Sequence, residues 1–191
     1  MDLRVSSPAG LAGLVRSRPA RLGTVRLVCV DGPAGSGKTT LAGSVAQQLG
    51  ATVLHLDDLY EGWSGLDGVF HRLDAQVLQP LSHGLDGRYR RYDWVQARFA
   101  EWVDVPLPEV LVLEGCGSAD LAVGDRASVI VWVEAPAGTR LARGLARDGE
   151  ALAPEWHRWM VMEQEHFARH RTRERADVIV DGTVPPGTPV T

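Results

Sequence analysis

The sequence predicts a doubly wound α/β fold, a parallel sheet sandwiched between two layers of helices, and three observations carry that prediction. Short apolar runs rich in β-branched residues recur at 25–30, 51–56, 110–113, 129–133 and 178–180. Apolar residues at helical spacing fill 38–49, 74–83, 138–147 and 155–171 between them. A glycine-rich loop joins the first run to the first of these helices. Strands that are apolar at nearly every position are buried on both faces, as in a parallel sheet, and their alternation with helices implies βαβ crossovers.

Each element follows in order. Residues 8–17 predict a short helix capping the sheet, within an N-terminal extension of residues 1–23. After the first strand comes Gly32-Pro33-Ala34-Gly35-Ser36-Gly37-Lys38-Thr39-Thr40, which fits G-x-x-x-x-G-K-[ST], the P-loop pattern. Its glycines let successive N–H groups turn toward a phosphate, and the helix beginning at Lys38 adds its positive end. In such a loop Lys38 reaches the outer phosphates and Thr39 holds Mg²⁺. The helix that follows shows Leu41, Ala42, Val45, Ala46 and Leu49 on one face. The expected architecture is therefore a three-layer α/β/α sandwich of the P-loop NTPase type, with a five-stranded parallel sheet and a small lid.

The stretch between the second and third strands, 57–108, exceeds what a crossover needs and is rich in Trp, Tyr, Arg and Asp. It reads as an insertion that builds an acceptor pocket. Ligands of open α/β sheets bind beyond the carboxyl ends of the strands, and two of those ends are acidic. Leu56-Asp57-Asp58-Leu59-Tyr60 ends the second, where Asp57 can meet an acceptor hydroxyl; an N-cap is the alternative duty for these acids. Leu113-Glu114-Gly115 ends the third, where Glu114 is either a metal-side carboxylate or a solvated strand end. Phosphoryl transfer needs positioning, charge neutralisation and a base, and these groups can supply all three. Arg140, Arg143 and Arg147 share one helical face, either as a clamp on phosphates or as an exposed basic face.

The remaining candidates carry less. His166 and His170 have zinc-ligand spacing, but no glutamate follows His166 and no third ligand is evident in the sequence, so they read as two solvent-facing histidines. Arg171, Arg173 and Arg175 can hold a nucleotide or complement a helix terminus. Trp63 and Trp94 lie in the insertion and can stack on a base, whereas Trp102 and Trp132 are expected in or near the core.

Composition bounds the function class. A chain of 191 residues with 45% hydrophobic content suits one domain, 1–191, with a lid at 147–156 and a frayed tail at 183–191. With 20 basic against 24 acidic residues it lacks the electrostatic footprint of a nucleic-acid binder. Its start lacks a signal-peptide pattern and no window approaches a membrane span. Cys29 and Cys116 read as reduced core thiols, which fits a cytoplasmic protein. A homo-oligomer is left open.

The ordered motifs DGPAGSGKTT, LDDLY, RRYDW, VLEG, RLARGLARD and RTRERADVIVDG resemble the uridine kinase and phosphoribulokinase-like branch of P-loop kinases, from about Val25 to Gly182. The resemblance implies ATP and Mg²⁺ as cofactors and a nucleoside 5′-hydroxyl as acceptor. Asp57 would accept that hydroxyl's proton, Glu114 would sit by the Mg²⁺ and Arg147 would be the lid arginine, with Arg143 beside the donor. Asp58, Tyr60, His71, Tyr92 and Asp93 would border the acceptor, and Asp67 or Asp74 would stand in for a sugar contact. A base-contacting histidine of that branch is missing here, where the sequence reads Tyr92-Asp93-Trp94-Val95-Gln96-Ala97. The resemblance thus carries phosphotransfer further than uridine. Monophosphate kinases, which would grip an acceptor phosphate with Arg88, Arg90 and Arg91, and kinases of other small alcohols are the alternatives. A regulatory nucleotide-binding module is the alternative of another class.

Overall fold

The computed structural model describes residues 7–184. Strands β1 (Arg26–Asp31), β2 (Thr52–His55), β5 (Val110–Glu114), β6 (Ala127–Glu134) and β7 (Val178–Asp181) form one parallel sheet in the order β2-β5-β1-β6-β7. These are the five apolar runs, each within two residues of its expected bounds. Register is regular from Arg26 opposite Val110 to Val30 opposite Glu114, which brings the carboxyl ends of β1 and β5 level.

The sheet is buried on both faces. Val28 and Val30 point to one side, where they meet Leu11, Val15, Leu41 and Val45 of helices α1 (Pro8–Ser17) and α2 (Lys38–Leu49). Leu27 and Cys29 point to the other, among Leu59, Tyr60, Leu66, Leu73 and Trp159. This two-residue alternation with apolar partners on both sides is why β1 reads as a continuous apolar run. The expected helix at 8–17 is α1; it starts with Pro8 after an N-cap in which Ser7 Oγ accepts from Gly10 N at 3.1 Å. It packs mainly on α2 and touches the sheet at β6.

Helix α3 (Leu66–Leu73) begins earlier than the expected 74–83 and runs through a π-helical turn (Asp74–Leu78) into α4 (Gln79–Ser82). Beyond it lies the main departure from expectation, an antiparallel hairpin of β3 (Gly87–Asp93) and β4 (Arg98–Val105) outside the main sheet. Asp93 closes its turn by accepting from Val95 N and Gln96 N at 2.9 and 2.8 Å. Helices α5 (Ala137–Asp148) and α6 (Ala153–His170) match their predicted spans and are joined by one 3-10 turn; the short α7 (Thr172–Arg175) leads to β7. Gly144 is the point of closest approach of α5 to Trp156 of α6, where a side chain would collide with the indole. Of the tail expected at 183–191, residues 185–191 lie outside the described residues. Among the described residues no helix is long and apolar enough to cross a membrane.

Candidate active site

The loop after β1 is held in shape from several directions. Gly32 and Gly35 have φ of +140° and +75°, and a Cβ at either would run into the backbone of Val133 or Arg140. Buried Glu163 of α6 reaches across: one oxygen accepts from Ala34 N at 2.7 Å and the other from Arg140 Nη1 at 2.7 Å. Arg140 also donates to Ala34 O, and Arg143 donates to Gly35 O and Gly182 O. Lys38 Nζ bends back to Pro33 O at 3.0 Å and lies 3.6 Å from Cys116 Sγ. Burial works against its charge, but Cys116, Glu114, Glu163 and Asp31 outweigh it, so the ammonium stays protonated with a raised pKa.

At the end of β1, fully buried Asp31 accepts from Gly32 N, Gly117 N and Ala119 N at 2.7 to 2.9 Å. It ties the P-loop to the loop after β5. Burial pushes its pKa up to about 6, although the three N–H donors and Lys38 favour the carboxylate.

Thr39 and Glu114 meet across the ends of α2 and β5. Thr39 Oγ1 donates to Glu114 Oε1 at 3.3 Å, while Glu114 Oε2 faces His55 Nδ1 at 2.7 Å. A hydroxyl on the first turn of α2 and a buried carboxylate at the end of β5, both hard oxygen donors, suit Mg²⁺. The hydrogen bond to Glu114 raises the His55 pKa against partial burial.

Asp57 stands on the 3-10 turn Leu56–Asp58 (Leu56 to Asp58) and lines the same cleft as Lys38, Thr39 and Glu114. The carboxyl is reachable by solvent, but the surrounding protein displaces bulk water. That desolvation first, then the charge of Glu114, holds its pKa above the ordinary range; Lys38, Arg147 and His55 oppose the shift. The cleft, about 850 Å³, continues from these groups to an aromatic wall of Trp63, Trp94, Trp156 and Trp159. Trp63 makes edge contacts with the other three at 5.8 to 6.2 Å between ring centroids. Trp94 Nε1 donates to Asp57 O at 2.9 Å and Tyr89 Oη to Asp58 Oδ2 at 2.9 Å, so the hairpin is fastened directly to the acid turn.

A family model described as an AAA domain matches residues 28–155, more than half of the chain, and spans the P-loop, the acid turn, Glu114 and α5. The chain belongs to this AAA-domain family. Its fold is that of a P-loop kinase: a solved structure described as a possible uridine kinase from Bacillus stearothermophilus superposes with a TM-score of 0.69 at 20% identity, covering 95% of this chain and all of that one. Among curated proteins, a shikimate kinase from Synechococcus elongatus is 31% identical over 126 residues, 55% of this chain and 62% of its own length. A bifunctional pantoate ligase/cytidylate kinase from Synechococcus sp. is 35% identical over 95 residues, 45% of this chain and 19% of its own length. The chain thus spans less than two thirds of these curated relatives.

In this AAA-domain chain, most expected site residues converge and some do not. Ala34, Gly35, Gly37, Lys38, Thr39, Thr40, Asp57, Asp58, Tyr60, Glu114, Arg143 and Arg147 all line the cleft. Gly32, Pro33 and buried Ser36 complete the loop behind them. Tyr60 is buried, and its hydroxyl is spent on Cys116 O at 2.7 Å. Arg147 pairs with Asp148 at 2.7 Å beside the Trp156 ring.

His71 does not border the cleft as expected: it lies on the exposed side of α3, because that helix buries Leu66, Val69 and Leu73 instead. Tyr92 and Asp93 also fall outside the lining; Tyr92 packs on Trp94 and Phe99, and Asp93 closes the hairpin turn. Asp67 and Asp74 pair with Arg169 and Arg126. Arg140 is a brace of the P-loop through Glu163 rather than a free phosphate clamp. Arg173 pairs with Glu134, and Arg175 donates to Ala119 O and His170 O. Trp132 is buried as expected, whereas Trp102 is exposed under Arg88. The two histidines read as solvent-facing are not so: His166 is buried.

Three residues of the site escaped sequence reasoning. His55 ends β2, so the strand-end rule that singled out Asp57 and Glu114 could have found it. Glu163 lies mid-helix among other charged residues, with no local sign that it faces the loop. Cys116 was read as a core thiol, and it is buried and unpaired, but it also borders Lys38.

Proposed function

We propose that this chain is an ATP- and Mg²⁺-dependent kinase that transfers the γ-phosphoryl group to a hydroxyl of a small molecule, with a nucleoside as the acceptor. The observation that carries the reading is the convergence of Lys38, Asp57, Glu114 and Arg147 on one cleft whose far wall is aromatic. Thr39 and Glu114 would hold Mg²⁺, which when bound offsets charge on the transferring phosphoryl group. The P-loop N–H groups and Lys38 cradle the donor. Asp57, with a raised pKa suited to accepting a proton, orients the acceptor hydroxyl and takes its proton as the new O–P bond forms and the bond to ADP breaks. Arg147 leaves Asp148 and turns to the phosphates when residues 147–156 close as a lid. The insertion 57–108, with Trp63 and Trp94, supplies the planar surfaces on which a base stacks.

A monophosphate acceptor is disfavoured by the arginines that would grip it. Arg88 pairs with Asp104, Arg91 with Glu101, and Arg90 donates to the carbonyls of Phe99 and Ala100. None of the three lines the cleft. A second reading, a non-nucleoside alcohol such as shikimate, is favoured by the 31% match to shikimate kinase.

An ADP-release screen with ATP and Mg²⁺ fixed, across nucleosides, nucleoside monophosphates and small alcohols, tests the proposal. Acceptor-dependent ADP release with a nucleoside supports it. Release only with monophosphates or only with shikimate-like alcohols replaces the acceptor, and ATP binding with no acceptor-dependent release defeats the kinase reading. Asp57→Asn should keep ATP affinity while lowering turnover by roughly 10²- to 10⁴-fold. An unchanged rate would remove Asp57 from the mechanism.

A further inference from the structure

Behind the P-loop, away from the cleft, three potential ligands converge. His166 and His170 stand one turn apart on α6 with their rings stacked, centroids 4.1 Å apart and planes at 23°. Asp120, in the loop that leaves β5, brings Oδ1 to 3.4 Å from His170 Nδ1. One ligand atom from each of the three lies within 4.8 Å of the other two. Asp120 and His170 keep 14% side-chain exposure each, so the cluster is shielded but has an open side.

The second observation concerns His166 itself. It is 2% exposed, and both its ring nitrogens are buried with no hydrogen-bond partner. An imidazole has a donor and an acceptor to satisfy, and buried polar groups are nearly always paired. Gly117, with no side chain, lies against the ring, and Phe167 meets it edge-on.

We propose that Asp120, His166 and His170 form a binding site for a divalent transition metal of the Zn²⁺ class, distinct from the Thr39 and Glu114 pair. Two imidazoles and a carboxylate match the ligand preferences of Zn²⁺, with water completing a tetrahedron. Small adjustments bring the ligands in: His170 Nδ1 presently accepts from Leu121 N at 3.1 Å, and Asp120 Oδ1 from Ala122 N at 2.8 Å. The ion would clip α6 to the loop after β5. That loop is gripped by Asp31 through Gly117 and Ala119, and α6 carries Glu163 one turn before His166. The site therefore fastens together two supports of the P-loop.

The test uses the full chain, metal-free and without a polyhistidine tag, titrated with Co²⁺ and then Zn²⁺. The expected result is one equivalent of Co²⁺ giving the intense visible absorption of a tetrahedral site, bleached by Zn²⁺, together with a higher Tm in Zn²⁺. Asp120→Asn, which keeps the turn's hydrogen bond, and His170→Gln should each weaken binding at least about tenfold and remove the Tm shift. Glu114→Gln should leave the absorption intact. No saturable binding, binding that survives both Asp120→Asn and His170→Gln, or absorption lost in Glu114→Gln would each overturn the proposal.

Discussion

The two ends of the cleft, the donor and acceptor ends of the proposed reaction, are built in different ways. At the donor end, backbone does the work: the glycine loop, the first turn of α2 and the level ends of β1 and β5 set the positions, and buried Glu163 and Asp31 lock them. At the acceptor end, side chains do it: four indoles and a hairpin pinned through Trp94 to Asp57 O. Backbone geometry tolerates little variation, whereas an aromatic wall can be resurfaced without disturbing the sheet. Substitutions at the donor end should therefore damage nucleotide binding and folding together, and those at the acceptor end should change acceptor selectivity alone.

The sharpest break of that contrast is Lys38→Ala, expected to lower acceptor-dependent ADP release on the order of 10³-fold and to weaken ATP binding measured by calorimetry. Next comes Glu163→Ala, which strands Arg140 and Ala34 N; losing one partner of a buried pair costs about 3–5 kcal/mol, read by urea unfolding, with ATP affinity falling in step. Asp31→Asn presents an amide N–H to a backbone donor and should cost about 1–3 kcal/mol. If either support variant kept wild-type stability and ATP affinity, the donor end would not be the rigid half. Trp94→Phe, which removes the bond to Asp57 O, should cost about 1 kcal/mol at most and raise the acceptor KM several-fold while leaving the ATP KM unchanged. Equal effects on both substrates would erase the division between the two ends.

The smallest effect is pH-dependent. Glu114 raises the His55 pKa above its ordinary 6.5, so the charged form is favoured in the folded state. The stabilisation from this pair is complete below about 6.5 and is lost as pH rises through the raised folded value. The Tm difference between the wild type and His55→Gln should shrink across that rise, and a difference that grew with pH would contradict the pairing.

This same contrast explains what the sequence made legible. The five strands and the P-loop announce themselves because each is a local pattern: doubly buried strands have no polar face, and a phosphate loop needs glycine where other residues clash. The hairpin does not. Its strand β3 alternates arginine with tyrosine, and the register shift between Arg90 and Tyr92 breaks the phase of the alternation. The resemblance that put His71 beside the acceptor does not say which face of α3 it takes, and that helix turns Leu66, Val69 and Leu73 inward instead. The role of Glu163, and Asp120 as the third member beside His166 and His170, were invisible for a related reason: their partners lie on other elements, and only folding brings them together.

The bond from Ala34 N to Glu163 spans 129 residues of sequence. During synthesis the nine-residue loop leaves the ribosome long before the carboxylate that braces it. Its final shape waits until α6 has emerged and docked. The first recognisable feature of this chain is among the last to be finished, and a nascent chain ending before α6 would carry the loop's sequence without its brace.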